Sequence, residues 1–144
     1  MIVLQILKSK GSSKVETIRP DAPLSEAAAR LSARRIGALI VSRDGQTVDG
    51  VISERDIVRV LGTEGAACLD RPVEAVMTRK VSSCAPSDKA VSVLARMTEG
   101  RFRHMPVLED GKLAGVISIG DVVKARIEEV ERENAAMADM ISGA

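Results

Sequence analysis

The second half of the chain repeats the first half, and this duplication constrains the fold more than any other feature. Residues 50–56 read GVISERD and residues 115–121 read GVISIGD. The alignment extends upstream, because VETIRPDAPLSEAAARLSARRIGALIV at 15–41 matches VSSCAPSDKAVSVLARMTEGRFRHMPV at 81–107. A repeat of this length indicates that one structural unit occurs twice. The sequence therefore predicts two related halves.

Both copies predict the same order of elements. Apolar residues at helical spacing predict a short helix at the start of each copy, at 3–10 and at 73–80. A brief strand follows, at 15–18 and at 81–84, and an amphipathic helix comes after it. Two further strands and a last helix complete each copy.

The junctions between these elements agree in the two copies. An Asp-Gly pair, at 44–45 and at 110–111, predicts a tight hairpin turn between the last two strands. The last helix of each copy begins at Glu54 or at Ile119. Two β-α-β-β-α units joined without a flexible linker predict one compact α/β (α+β) module with pseudo-symmetric halves.

A Ser-x-x-Asp sequence marks the start of the last helix in both copies, as Ser53 with Asp56 and as Ser118 with Asp121. One interpretation is a capping box, in which the hydroxyl and the carboxylate satisfy free backbone N–H groups. The other is a binding site, because a helix N-terminus attracts phosphate and the Asp can accept hydrogen bonds from ribose hydroxyls. The sequence leaves both interpretations open.

The composition argues against several classes of function. The 144 residues carry a formal net charge of +1, which favours neither nucleic acid nor an anionic membrane as partner. The chain has one Phe and no Tyr or Trp, so a flat ligand would be held by aliphatic side chains. Cys68 and Cys84 lack the spacing of a disulfide framework or a zinc site. We therefore expect a cytoplasmic protein with no metal site and no membrane span.

With these motifs in place, the chain resembles a tandem pair of cystathionine-β-synthase (CBS) domains, the arrangement called a Bateman module. The segments of the first copy that carry the resemblance are TIRPD (17–21), IGALIV (36–41) and GVISERD (50–56). Those of the second copy are VMT (76–78), RHMPV (103–107) and GVISIGD (115–121). The resemblance implies a stand-alone module with a first CBS motif at 1–70, a second at 71–127 and a C-terminal helix extension at 128–144.

The resemblance also implies a function. Such pairs often bind adenosine compounds in clefts between the two motifs, so the expected ligand is an adenine nucleotide such as AMP, ADP, ATP or NAD(H). The module would act as a regulator that transmits occupancy to a partner protein or to the arrangement of a dimer. It would have no catalytic residues and no catalytic cofactor.

Particular residues receive roles from the same resemblance. The ribose is expected to bind Asp56 and Asp121. The residues expected to bind phosphate are Ser53, Ser118, Arg103, His104 and Lys80. The residues expected to line the adenine pocket, with plain core packing as the alternative for most of them, are Thr17, Ile18, Ala38, Ile40, Val51, Ser83, Cys84, Met105, Pro106 and Val116.

Basic residues distinguish the two copies. Arg103 and His104 lie at the start of a core strand, where the first copy has Gly37 and Ala38. We therefore expect Asp121 to work with Arg103, and Asp56 to serve a weaker pocket; a solvated basic edge is the alternative. Further candidates for phosphate binding, for which solvent exposure is the alternative, are Lys10, Lys14 and Arg79.

Residues 119–141 are expected to form one long helix with an apolar stripe. The stripe repeats at intervals of four and three residues, which is typical of a helix that packs against another helix. Its members are Val123, Ile127, Val130, Asn134, Met137 and Ile141. A homodimer through this helix is the leading hypothesis, and folding of the helix back onto its own domain is the alternative.

Three other functions compete with nucleotide sensing. Catalysis has little support, since the chain has neither a phosphate-binding GxxxxGK[ST] loop nor a GxSxG nucleophile motif, and only His104 and Cys84 could form a catalytic pair. Nucleic-acid binding would use the basic residues at 79, 80, 101 and 103, but the net charge of +1 and the scarcity of aromatic residues argue against a single-strand stacking platform. A ligand-free structural dimer is the third alternative.

Overall fold

In the computed structural model, which describes residues 1–11 and 15–143, helices and short strands alternate along the chain. The helices are α1 (Val3–Lys10), α2 (Leu24–Arg34), α3 (Glu54–Glu64), α4 (Ala90–Gly100) and α5 (Ile119–Ile141). The strands are β1 (Thr17–Ile18), β2 (Ala38–Val41), β3 (Gly50–Ser53), β4 (His104–Glu109) and β5 (Lys112–Ser118). Short 3₁₀ helices lie at Ala66–Asp70 and Val73–Ala75. The predicted mixture of helices and strands and the long last helix are confirmed.

Strand pairing preserves the duplication. β1 runs parallel to β2 with Ile18 opposite Val41, and β2 pairs antiparallel with β3. In the second half, β4 and β5 form an antiparallel hairpin, and Cys84 pairs in parallel with Val107. The pair of Cys84 and Val107 corresponds to the pair of Ile18 and Val41 in the first half, with both residues 66 positions further along the chain. The strand predicted at 81–84 is thus reduced to one bridge.

An arginine stabilises each half in the same way. Arg30 on α2 donates a hydrogen bond from Nη1 to the Thr17 carbonyl at 2.6 Å. Arg96 on α4 donates from Nη1 to the Ser83 carbonyl at 2.8 Å. Each carbonyl belongs to the segment that pairs with the following hairpin, so each charged hydrogen bond joins that segment to its helix.

The prediction of a helix at 73–80 is correct only for its first turn and wrong for the residues after it. The 3₁₀ helix Val73–Ala75 ends early, and the extended chain after it pairs with the edge of β3. The backbone of Val51 donates to Thr78 at 3.0 Å and accepts from Thr78 at 2.9 Å. These two hydrogen bonds are available only to an extended chain, so strand pairing replaces the helix here. The first copy remains helical as far as Lys10.

The two Asp-Gly pairs form different turns. Asp110 and Gly111 join β4 to β5 as the predicted tight turn, with φ angles of 52° and 77° in the left-handed region. Asp44 instead belongs to a loop of eight residues between β2 and β3, so the prediction of a tight turn there is wrong. The Asp44 carboxylate accepts the backbone N–H groups of Gln46 at 2.9 Å and Thr47 at 2.7 Å. These bonds hold the pKa of Asp44 well below its usual value.

The N-terminal segment of each copy packs against the other half. Val3 and Ile6 of α1 are buried in the core of the second half, while Val73 and Met77 are buried in the core of the first half. Backbone hydrogen bonds also join each N-terminal segment to the other half. The N–H of Val3 donates to the Asp88 carbonyl at 2.9 Å, and the N–H of Val73 donates to the Ala22 carbonyl at 2.8 Å. The halves are therefore joined by reciprocal exchange. The domain boundaries at residues 70 and 127 stay predictions.

Side chains alternate between the two faces of each hairpin. Leu39 and Val41 of β2 point into the first core, and Met105 and Val107 of β4 point into the second core. The opposite faces of the strands point away from these cores. Within each half, the first residue of β2 or β4 pairs with the last residue of β3 or β5, directly before the N-terminus of α3 or α5.

We expect Ile6→Ala to lower the free energy of unfolding by about 2–5 kcal/mol, because it leaves a cavity in the second core. Leu4→Ala on the same helix is the matched control, since Leu4 is 39% exposed and should lose much less. Urea denaturation of both variants measures the difference. Equal losses would contradict the exchange of α1 onto the second core.

Candidate functional site

A cleft of about 1030 Å³ lies between the two halves. One wall is α1, a second is the chain around the end of α2 and the start of β2, and a third is β5 with the first turn of α5. Small-molecule sites commonly have volumes of roughly 300–1,000 Å³, so the cleft is large enough for a nucleotide. Its charged and polar lining residues are Lys8, Lys10, Glu16, Arg34, Arg35, His104, Glu109, Ser118 and Asp121.

Asp121 presents a partly open carboxylate to this cleft. Its Oδ2 accepts the backbone N–H of Ser118 at 2.9 Å, and its own N–H donates to Ser118 Oγ at 3.0 Å. The predicted capping box therefore forms at α5. Lys10 Nζ also donates to Oδ2 at 2.8 Å, whereas Oδ1 accepts no hydrogen bond from the described residues. Among the described residues, Oδ1 is therefore the carboxylate oxygen that a ligand can reach without displacing a hydrogen bond.

The pKa of Asp121 reflects two opposing effects. Burial of the carboxyl raises the pKa, but the hydrogen bonds from Lys10 and Ser118 and the charge of Lys10 outweigh burial. The net pKa lies below the ordinary value, so the carboxylate is ionised at neutral pH. An ionised carboxylate is the better acceptor for a hydroxyl group.

Asp56, the counterpart of Asp121, is more completely occupied. It forms the same capping box at α3, and its Oδ2 accepts both the N–H and the hydroxyl of Ser53 at 2.9 Å. Its Oδ1 accepts Arg59 Nη2 at 3.0 Å. The Asp56 side chain is 8% exposed, compared with 23% for Asp121. Both carboxylate oxygens are therefore engaged within the protein, and Asp56 is not among the residues that line the cleft.

His104 reaches across to the first half because Gly37 has no side chain. A Cβ atom at Gly37 would lie 3.0 Å from His104 Cε1 and 3.0 Å from Glu54 Oε1. Gly37 of the first copy therefore makes room for His104 of the second copy where the two halves meet. Burial lowers the pKa of His104, and the charges of Asp121 and Glu54 offset this effect only in part. The imidazole is neutral at pH 7.

Strand alternation divides the residues predicted to line the adenine pocket. Ala38 and Val116 line the cleft. Ile18, Cys84 and Met105 are buried in the two cores and do not line it. The others lie on the strand face opposite the cores but are not part of the cleft lining; they are Thr17, Ile40, Val51, Ser83 and Pro106.

Only some of the residues predicted to bind phosphate line the cleft. His104 and Ser118 line the cleft, whereas Ser53 caps α3 outside its lining. Arg103 and Lys80 are exposed and are not part of the lining, so the cation that contacts Asp121 is Lys10 rather than Arg103. Among the further candidates, Arg79 donates to the Glu74 carbonyl at 2.9 Å, and Lys14 lies outside the described residues.

Three cations of the cleft were not selected from the sequence. Lys8 is exposed on α1, and Arg34 and Arg35 lie where α2 ends. Arg34 Nε pairs with Glu16 Oε1 at 3.0 Å, whereas Lys8 and Arg35 form no ion pair with a described residue. The basic pair directly before Ile36 and Gly37 was the available sequence signal.

In residues 1–11 and 15–143, no group of three or more His, Cys, Asp or Glu side chains is placed to hold a metal ion. No helix in the described part of the chain is long and apolar enough to span a membrane.

Comparison with known proteins places this geometry in a family. The family model for the CBS domain matches residues 11–63 and 73–128. The mitochondrial CBS domain-containing protein CBSX3 of Arabidopsis thaliana is 33% identical over an alignment of 144 positions, gaps included, that covers 92% of this chain and 70% of that protein. The matched ranges correspond to the two halves of the fold.

Solved structures agree with this match. A CBS-domain containing protein from Agrobacterium tumefaciens superposes with a TM-score of 0.83 at 44% identity, covering 88% of this chain and 99% of that chain. A CBS domain protein from Pyrobaculum aerophilum, complexed with AMP, superposes with a TM-score of 0.73 at 27% identity, covering 84% of this chain and 89% of that chain. The chain therefore belongs to the CBS domain family and contains a tandem pair of these domains.

Proposed function

We propose that this protein is a regulatory module that binds one adenine nucleotide, such as AMP, ADP, ATP or NAD(H), in the cleft between its halves. The observation that carries the proposal is the ionised Asp121 carboxylate, which has one oxygen free of described partners and faces a cleft rich in lysine and arginine. The AMP complex of the related protein from Pyrobaculum aerophilum supports this class of ligand.

The ribose and the phosphates would bind at neighbouring positions. Oδ1 of Asp121 accepts a ribose hydroxyl, at the N-terminal turn of α5. The phosphates bind Lys8 and Arg35, whose charges are not neutralised by a described residue, and Lys10 where it is released from Asp121. His104, neutral at pH 7, contributes a hydrogen bond rather than a charge.

The base would bind between aliphatic side chains. The apolar residues of the cleft wall include Leu7, Ile36, Ala38 and Val116. A Cβ atom at Gly115 would lie 2.9 Å from Leu7, so this glycine allows α1 to approach β5 and narrows the cleft at that point. Because the chain has no Tyr or Trp, the base is held by apolar contact rather than by aromatic stacking.

The pseudo-symmetric position around Asp56 would bind ligand weakly or not at all. Both carboxylate oxygens of Asp56 are hydrogen-bonded to Ser53 and Arg59. A ribose would have to replace one of these contacts at a nearly buried group. We therefore expect one nucleotide per chain.

The protonation state of Cys84 disfavours a catalytic role, because Cys84 is the candidate nucleophile for a pair with His104. Burial raises the pKa of Cys84 to about 11, with a smaller contribution from the charge of Asp88. The Cys84 thiol is therefore protonated at neutral pH and is a poor nucleophile. We propose that the module is not an enzyme, and that a partner protein reads its state.

Replacement of Asp121 tests the binding site. Asp121→Ala should weaken the binding of AMP, ATP or NAD(H) by about tenfold or more, because a charged hydrogen bond is lost. Asp56→Ala is the matched control, since it removes the same capping box without touching the cleft. Isothermal titration measures affinity and stoichiometry. If the unmodified protein binds none of these compounds, a ligand-free structural module becomes the better interpretation.

Replacement of Arg35 tests the phosphate end. Arg35→Asn should weaken AMP binding by about three- to tenfold and leave adenosine binding unchanged, because only the phosphate contacts the lost charge. Arg101→Asn is the control: both arginines end a helix with left-handed backbone, at φ angles of 54° and 57°, and Asn tolerates that conformation. Arg101 does not line the cleft. A loss of adenosine binding in Arg35→Asn would indicate a structural effect.

The C-terminal half of α5 would pair with α5 of a second copy. Val122 and Ala125 near its start are buried in the second core, but Ile127 and Met137 further along are 54% and 59% exposed. The apolar stripe therefore does not fold back onto its own domain. With Ile127 at the first position of a heptad, parallel pairing brings Arg126 of one helix next to Glu131 of the other. The same register pairs Asn134 with its own copy, which favours a parallel homodimer.

Val130→Glu should convert the dimer to a monomer, because it places a charge in the centre of the stripe. Arg132→Glu, on the outer face of the same helix, should leave the dimer intact. Sedimentation velocity of the two variants measures their mass. A monomeric unmodified protein, or a dimer that survives Val130→Glu, would contradict pairing through α5.

A further inference from the structure

The side chain of Lys10 is hydrogen-bonded to Asp121, the proposed ribose acceptor of the cleft. Its Nζ donates to Asp121 Oδ2 at 2.8 Å and to the Val116 carbonyl at 3.0 Å. Lys10 is the last residue of α1, and Gly11 ends the helix with left-handed backbone at a φ of 73°. The ammonium group is therefore held at the point where the base wall and the ribose acceptor of the proposed site meet.

The other half satisfies the equivalent strand edge in a different way. Val51 is the counterpart of Val116 in the GVIS repeat, and both its backbone groups are hydrogen-bonded to Thr78. In the second half a side chain, rather than backbone, satisfies the carbonyl. A side chain can leave this position by rotation about its own bonds, whereas the backbone of Thr78 can leave only if the chain moves.

We infer that Lys10 is a specificity-determining residue that makes the cleft select phosphorylated adenine nucleotides over the uncharged nucleoside. The inference rests on the proposed function. In the free protein, Lys10 neutralises Asp121. One hydroxyl of the ribose binds Oδ1 of Asp121, and the neighbouring hydroxyl competes with this ammonium group for Oδ2. The ligand must therefore offer Lys10 another acceptor.

A nucleotide offers the displaced Lys10 ammonium group a new anionic partner, whereas a nucleoside offers none. A nucleotide carries its phosphate next to the ribose, so the ammonium group exchanges a carboxylate for a phosphate and retains a charged hydrogen bond. Adenosine displaces the ammonium group and gives it no anion in return. The remaining carboxylates of the cleft do not compensate for this loss, because Glu16 is already paired with Arg34 and Glu109 lies at the far end of β4 from His104. Lys10 therefore favours AMP and opposes adenosine.

The test uses Lys10→Met, which keeps the length of the side chain and removes its charge. The two affinities should change in opposite directions: adenosine binding tightens by about threefold, and AMP binding weakens by about tenfold. Lys80→Met is the matched control, because Lys80 is the counterpart of Lys10 in the repeat, is exposed and does not line the cleft. Lys10→Arg, which restores the positive charge, should recover most of the preference for AMP.

A measurement without ligand examines the same contact. Removal of the Lys10 charge leaves burial to act on Asp121, so NMR titration of the free protein should show a higher pKa of Asp121 in Lys10→Met than in Lys80→Met. Equal weakening of adenosine and AMP in Lys10→Met, or an unchanged ratio of their affinities, would overturn the inference and leave the proposed function intact. If the unmodified protein binds neither compound, the proposed function itself fails.

Discussion

The reciprocal exchange of N-terminal segments is the interaction on which the rest of the structure depends. α1 completes the core of the second half, and the segment that contains Val73 and Met77 completes the core of the first. Each half alone would expose the apolar surface that the exchanged segment covers, and burial of that surface is the main contribution to stability. Because the exchange joins the halves side by side, it also creates the cleft between them, with α1 as one wall.

The exchanged segments contribute to the two cores in the same way, but they contact the outer edges of β3 and β5 differently. The proposed site lies beside the edge of β5. In the first half, the extended chain after Ala75 pairs with the edge of β3 through Thr78. In the second half, α1 remains helical as far as Lys10, so a lysine side chain contacts the equivalent edge of β5. Arg59 completes the hydrogen bonding of Asp56, whereas Oδ1 of Asp121 accepts no hydrogen bond from a described residue. One duplicated sequence thus yields two unequal positions.

The elements predicted correctly are those that depend on local patterns. The capping boxes at Ser53 and Ser118 follow from hydrogen bonds within four residues, and the length of α5 follows from helical spacing. The helix at 73–80 was predicted wrongly because pairing with β3, a contact distant in sequence, decided its conformation. Of the residues that line the cleft, the sequence analysis selected Asp121, Ser118 and His104 but not Arg35, because the approach of Arg35 to the cleft depends on how α2 ends relative to α1.

The sequence by itself determined that there are two related halves, where each last helix begins and that the final helix is long. These properties follow from repeat, periodicity and capping, which act between neighbouring residues. The tertiary structure decided which half each N-terminal segment completes, which of the two Asp residues has an oxygen without a hydrogen bond from a described residue, and which lysine contacts that Asp. These outcomes depend on distances between residues far apart in the chain, such as Lys10 and Asp121, and no local pattern specifies them.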